Sequence, residues 1–112
     1  MALAKKELFD RKLQRCSVYC KAISHPARLA ILKYLAKTKS CITGDISSAI
    51  PLGRTTVNQH LAELKSAGLI EGNISGVRTY YCLNREALYE LKSLLDEFLS
   101  QVCCEEISKE NS

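Results

Sequence analysis

The sequence predicts a mostly α-helical domain carrying a two-stranded β-hairpin, and three observations predict it. Residues 53–68 (GRTTVNQHLAELKSAG) read as a helix with one apolar and one hydrogen-bonding face. A strand–loop–strand pattern follows over residues 69–83. Apolar stripes stepping by three and four run along both terminal segments.

On the central helix, Val57, Leu61 and Leu64 recur at i, i+4 and i+7, the signature of a buried stripe. The other side carries Arg54, Thr55, Asn58, Gln59 and Lys65, with Thr56 and His60 beside them. Arg suits guanine, Asn and Gln suit adenine, and Thr can meet a thymine methyl, so this inventory fits a DNA major groove. The alternative is an ordinary solvated helix face. Upstream, Thr43–Ile50 (TGDISSAI) reads as a short helix and Pro51-Leu52-Gly53 as the turn into the next one. Helix, tight Gly-containing turn and polar-faced helix make a helix-turn-helix.

Gly68 reads as the glycine that ends the recognition helix. Leu69-Ile70 begins a strand, residues 71–76 (EGNISG) supply a loop, and Val77–Leu83 (VRTYYCL) returns as a strand rich in β-branched and aromatic residues. Arg78, just past the hairpin tip, is placed to reach a phosphate or the minor groove. The combination is a winged helix-turn-helix.

The terminal segments predict assembly. A helix from about Leu3 to Ala22 carries Phe9, Leu13, Cys16, Cys20 and Ile23 on one stripe. Ser24 or His25 can cap the next helix, with Pro26 at its favoured first position and Leu29, Ile31, Leu32 and Leu35 facing the core. Asn84 can cap a last helix whose seam is Leu88, Leu91, Leu95, Phe98 and Val102, widened by Leu94 and Leu99. Two continuous seams exceed what so small a core needs. They predict a homodimer through the first and last helices, which would set two recognition helices about 34 Å apart for an imperfectly palindromic double-stranded operator.

At 112 residues, 46% hydrophobic and 25% charged, the chain has the dimensions of one globular domain. Its expected organisation is a single domain over 1–112. Within it, 1–23 form an N-terminal dimerisation helix, 43–83 the helix-turn-helix and wing, 84–104 a C-terminal dimerisation helix and 105–112 a flexible tail. A net charge of +4 has the right sign for a polyanion, and Glu105, Glu106 and Glu110 in the tail leave the body more basic than the average. No apolar run approaches membrane-spanning length and no signal peptide is visible, which predicts a cytoplasmic protein without a membrane partner. In that compartment six cysteines read as metal or thiol chemistry rather than a disulfide framework.

The residues AISHPARLAILKYL (22–35), GRTTVNQHLAELKSAGLI (53–70) and GVRTYYCL (76–83) make the chain resemble the ArsR/SmtB family of bacterial metal-responsive repressors. The resemblance covers about residues 9–100. It implies a homodimeric repressor, not an enzyme, that holds its operator when empty and releases it on binding a thiophilic ion or metal. One departure stands out. Where many family members place inducer cysteines, this chain has Ile42 and Gly44, with Cys41 at an apolar position. That site looks absent.

Cys103-Cys104, adjacent thiols at the frayed end of the last helix, are the leading alternative, because both can turn toward one soft ion. Relatives with a vicinal pair on this helix sense arsenicals, so the resemblance implies a trivalent arsenical inducer: arsenite, antimonite or a methylated or aromatic As(III) species. A third sulfur would come from Cys16 or Cys20, which equally suit a buried stripe. Without one, a two-sulfur site suits an organoarsenical. Cys41 reads as a helix-end core residue and Cys82 as buried filler. Zinc or cadmium is the competing inducer, but the last helix has no histidine; the chain's two are His25, a cap, and His60, expected at DNA or the second helix. Thiol-redox or persulfide sensing between Cys16 or Cys20 and Cys103 is another competitor. A small thiol enzyme is disfavoured, because no C-x-x-C on a βαβ unit or phosphate-like loop is present.

Overall fold

Asp10 starts the first helix. Its side chain accepts from the Lys12 N–H at 2.9 Å, so α1 spans Arg11–Ala22. In the computed structural model the described residues are 8–38, 41–43, 46, 49–73 and 79–103. The continuous helix expected from Leu3 is corrected here: Leu8 to Asp10 lie outside α1, and the cap is the physical reason. The part of that expectation on residues 3–7 lies outside the described residues.

α2 (Pro26–Thr38) begins as the sequence predicts. His25 Nδ1 accepts from the Ala27 N–H at 2.9 Å, and Pro26 occupies the first helical position, where no N–H is needed. Ile31 and Leu35 are buried and Leu32 half-buried, but Leu29 is 46% exposed and is not a core residue.

The next segment departs from expectation. Ile42–Thr43 form a strand, β1, rather than leading into a helix. β1 pairs antiparallel with β3, Ile42 opposite Tyr81 and Thr43 opposite Tyr80. The fold therefore has a three-stranded sheet of order β1-β3-β2, not a two-stranded wing alone. Two β-branched residues in an extended stretch favour this pairing over a helical start. Of the helix expected over 43–50, residues 44–45 and 47–48 lie outside the described set. Ile46 and Ile50 are buried, and the Ala49 N–H donates to Ile46 O at 2.9 Å.

α3 (Arg54–Ser66) buries Val57, Leu61 and Leu64 completely, the stripe read from the sequence. It ends in a Schellman arrangement: the Gly68 N–H donates to Lys65 O at 2.9 Å and the Leu69 N–H to Leu64 O at 3.0 Å. Gly68 adopts φ +86°, which a glycine tolerates without Cβ strain.

β2 (Ile70–Asn73) runs further than expected, since Glu71, Gly72 and Asn73 belong to the strand rather than the loop. β3 (Tyr80–Leu83) is shorter than the expected strand, and Thr79 precedes it without strand pairing. At Gly72 (φ +139°) a Cβ would lie 2.1 Å from Tyr80 O, so only glycine lets the two strands close. Residues 74–78, including Arg78 and the hairpin tip, lie outside the described residues.

α4 (Arg85–Val102) is capped by Asn84, whose Oδ1 accepts from the Ala87 N–H at 3.2 Å while its Nδ2 donates to Gly68 O at 2.9 Å. One residue thus ties the start of α4 to the end of α3. α1 and α4 run antiparallel: Lys12 pairs with Glu97 at 3.1 Å, and Arg15 grips Glu90 through two nitrogens. The buried Tyr19 hydroxyl donates to the same Glu90 at 2.6 Å. Hydrogen bonds from Arg15, then from Tyr19, hold the Glu90 carboxyl below its ordinary pKa. The core joins Tyr19, Ile31, Leu35, Leu61, Leu64, Leu69, Ile70, Tyr81 and Leu91 into one cluster spanning every helix.

The apolar seams divide. Cys16 and Leu91 are buried within the chain, and Leu88, Leu94 and Leu95 pack against the core. Phe9, Leu13, Phe98, Leu99 and Val102 remain 39–59% exposed. A single chain therefore uses the inner half of each seam and leaves the outer half open.

Candidate nucleic-acid interface

The same helix that buries Val57, Leu61 and Leu64 presents its polar residues outward. Arg54, Thr55, Thr56, Gln59 and Lys65 are exposed, and Asn58 is half-buried. Among the described residues none of these six side chains takes part in a hydrogen bond or ion pair. No acidic residue occupies the first turn, so the N-terminal N–H groups and the helix dipole meet Arg54 and two threonines without a competing carboxylate. Glu63, one turn beyond Gln59, is also exposed and bounds this face on one side.

His60 points the other way. Its Nδ1 accepts from Arg28 Nε at 3.1 Å, and its ring lies 4.4 Å from that of His25. Burial, then the nearby His25 and Arg28, lower its pKa, in keeping with its Nδ1 acting as an acceptor. Of the two roles open to it in the sequence, the structure shows the contact with the second helix. Arg28 also donates to Ala22 O at 3.2 Å and so joins the end of α1 to α3 through α2.

The wing stands at the C-terminal end of α3. β2 follows α3 through the Gly68 turn, and β3 lies between β2 and β1. Arg78, the predicted contact on this element, lies outside the described residues.

The thiols form two groups. Cys16 and Cys20, one helical turn apart on α1, bring their sulfurs within 4.0 Å. Cys16 is buried and Cys20 half-buried, and burial followed by the neighbouring Cys16 pushes the Cys20 thiol pKa up. Beside Cys16 a cavity of about 100 Å³ opens between α1 and α4, walled by Leu13, Leu94, Phe98, Glu97 and Gln101 among others. Cys103 caps α4 and is exposed, while Cys104 lies outside the described residues. Gln101, which lines the same cavity as Cys16, is two residues before Cys103, yet Cys16, Cys20 and Cys103 form no group of three that could hold one ion. The structure therefore brings Cys16 and Cys20 together but does not bring Cys103 to them within one chain. No cluster of three or more metal-binding side chains occurs among the described residues.

The second group was not legible as a pair in the sequence. Cys41 and Cys82 form a disulfide with Cα atoms 4.3 Å apart. This corrects both expectations: Cys41 is an exposed residue before β1, not a core residue at a helix end, and Cys82 is half-buried and bonded, not filler. The available signal was the β-branched pair Ile42-Thr43, which directly follows Cys41 and could have been read as a strand facing Tyr80–Leu83.

Comparison with known proteins bears on this geometry. A sequence profile for "Bacterial regulatory protein, arsR family" matches residues 25–71, which take in α2, β1, α3 and the start of β2. The chain is 31% identical to the HTH-type transcriptional regulator YgaV of Escherichia coli (strain K12), over 67% of this chain and 76% of that protein. The chain belongs to the arsR family of transcriptional regulators. Among solved structures it is similar to a "possible transcriptional regulator for arsenical resistance" (TM-score 0.60, 25% identity, 72% of this chain and 83% of that one). It is also similar to the homodimeric winged helix-turn-helix DNA-binding domain of Mb0332 from Mycobacterium bovis (TM-score 0.57, 29% identity, 94% and 95% covered). The winged helix-turn-helix assignment agrees with these family members. No described helix is long and apolar enough to cross a membrane.

Proposed function

We propose that this regulator is a homodimeric, cytoplasmic repressor. It reads an imperfect palindrome through the exposed face of α3 and leaves it when a trivalent arsenical bonds to cysteine thiols. The DNA reading is carried by one observation: six polar side chains on α3 without a hydrogen-bond or ion-pair partner among the described residues, backed by a fully buried stripe that fixes their direction. Arg54, Thr55, Asn58 and Gln59 supply base contacts, and Thr56, Lys65 and Arg78 supply phosphate contacts. The half-used seams support the dimer. Leu13, Phe98, Leu99 and Val102 form an apolar surface along α1 and α4 that a second copy would cover.

For the inducer, the pair whose geometry is best defined is Cys16–Cys20. Two thiols 4.0 Å apart can both bond one arsenic after a small side-chain rotation. Each As–S bond forms as an arsenic hydroxyl leaves with the thiol proton as water, so no net charge is created. A raised thiol pKa therefore does not oppose it. Zinc needs thiolates and must expel those protons, which burial resists. The cavity beside Cys16, where Leu13, Leu94 and Phe98 share the wall with Asp10, Lys12, Glu97 and Gln101, offers room for a methyl substituent. Cys103-Cys104 is the second reading, favoured by the exposure of Cys103 at the end of the same helix seam.

An arsenical on Cys16 and Cys20 whose substituent enters the cavity between α1 and α4 would wedge the two helices apart, and with them shift the surface on which the proposed dimer rests. A conformation preferred by about 3 kcal/mol in ligand affinity shifts the equilibrium more than a hundredfold. The test is fluorescence anisotropy on DNA upstream of the protein's own gene, titrated with arsenite, phenylarsenite and zinc. Release by the arsenicals from wild type but not from Cys16→Ser/Cys20→Ser supports the α1 site. Loss of response in Cys103→Ser/Cys104→Ser instead supports the second reading. Continued release from the variant lacking all four contradicts both.

A further inference from the structure

Cys41 and Cys82 lie outside both thiol sites just considered. The register Ile42↔Tyr81 and Thr43↔Tyr80 places Cys41 directly opposite Cys82 across β1 and β3. Their Cα separation of 4.3 Å is that of a close-facing antiparallel pair. β1 is only two residues long, so few backbone hydrogen bonds hold it to the sheet. Besides that pairing and the packing of Ile42 against the core, the sulfur–sulfur bond ties it covalently to β3.

The position of that attachment gives it leverage. Cys41 follows α2 and precedes the segment through Ile46 and Ile50 that leads into α3. Cys82 lies on the middle strand, opposite Glu71 of β2 on its other side. The bond closes a loop, 41 residues in sequence separation, that contains the whole of α3 and β2. It couples the lead-in of the recognition helix to the base of the wing.

We propose that Cys41 and Cys82 are a thiol–disulfide exchange site for low-molecular-weight disulfides, and that the crosslinked state holds helix and wing in DNA-binding geometry. The two cysteines are unequal. Cys41 is exposed and Cys82 half-buried, so Cys41 is the sulfur an external disulfide reaches first. In the forward direction the Cys41 thiolate attacks one sulfur of the small disulfide, breaking its S–S bond and releasing one small thiol. The Cys82 thiolate then attacks the Cys41 sulfur, forming the protein disulfide and expelling the second thiol. Two electrons pass to the small disulfide, and the two protein protons leave with the two thiols. An attacking small thiol reverses both steps.

The DNA consequence rests on the proposed function above; the exchange site does not. The experiment equilibrates the full-length protein in glutathione buffers of stepped thiol-to-disulfide ratio, then alkylates free thiols and maps peptides by mass spectrometry. A Cys41–Cys82 crosslink that forms and disappears reversibly, and persists in Cys16→Ser/Cys20→Ser, is expected. Hydrogen exchange at β1 and β3 should quicken on reduction. Free alkylation of Cys41 and Cys82 under disulfide-rich buffer overturns the site. Anisotropy on the upstream DNA should show affinity falling about fivefold on reduction, because a less ordered reading head must be ordered on binding. Cys82→Ser should show the weaker affinity in every buffer. Equal affinity of the mapped crosslinked and reduced forms overturns the coupling to DNA. Absence of binding in both forms counts against the DNA-binding reading, with the crosslink still decided by the mapping.

Discussion

The central helix α3 and the α1–α4 pair of this chain use their apolar residues in opposite ways. In the first, Val57, Leu61 and Leu64 are fully buried, and among the described residues Arg54, Thr55, Thr56, Asn58, Gln59 and Lys65 make no side-chain hydrogen bond or ion pair. In the second, Leu91 and Cys16 are buried, yet Leu13, Leu99 and Val102 of the same helices face solvent. The central helix buries its apolar stripe and turns out a polar face. The terminal pair is clasped by Arg15, Glu90 and Tyr19 and turns out apolar side chains. The proposed function assigns a polyanion to the first surface and a second copy of the chain to the other.

That contrast predicts different responses to substitution. The largest effect belongs to the finished core. Leu61→Ala should cost about 2–5 kcal/mol of stability, read as a lowered denaturation midpoint, because the residue is 0% exposed. Leu99→Glu, at 46% exposure, should leave the folded helix content intact but convert the dimer to a monomer by sedimentation velocity. Leu95 is a poorer probe, since it packs against the chain's own core and its loss would mix folding with assembly. If Leu99→Glu unfolds the protein as Leu61→Ala does, the two regions do not differ as described.

Smaller effects sharpen the picture of α1. Asp10→Ala should cost about 1 kcal/mol by removing the cap from the Lys12 N–H, measurable by thermal denaturation. The smallest effect is a pH dependence. The folded pKa of Glu90 lies below its unfolded value, so its contribution is present above the ordinary carboxylate range and is lost as pH falls through the folded pKa. Glu90→Gln should therefore destabilise the protein near neutral pH and flatten the acid limb of the stability profile. An unchanged acid limb would mean that the Arg15–Glu90–Tyr19 clasp contributes nothing in solution.

What the sequence made legible follows from how local each signal is. The buried stripe of α3, the Gly68 stop, the His25-Pro26 start and the Asn84 cap depend on neighbours within a turn of helix, and each stands where the pattern put it. β1 and the Cys41–Cys82 bond depend on a pairing between positions 41 residues apart, which no local period reports. The apolar stripe through Phe9 extends past the true start of α1, because the Asp10 cap, not the stripe, decides where the backbone turns. The seams were read correctly as apolar, but a one-dimensional pattern does not say which half a single chain uses. Of the candidate site, the exposed face of α3 was readable from its residues. The turn of His60 toward Arg28 and the closeness of Cys16 to Cys20 needed the fold.

The claim that the empty polar face of α3 is a sequence-reading surface is tested most directly by Gln59→Ala. Its affinity should be measured by anisotropy on the DNA upstream of the protein's own gene and on random duplex at the same salt. Gln59 is exposed and its side chain makes no hydrogen bond among the described residues, so the fold should be untouched. The account predicts a loss of about 1–3 kcal/mol on the specific site with little change on random DNA. Equal losses on the two duplexes, or no loss on either, would contradict it.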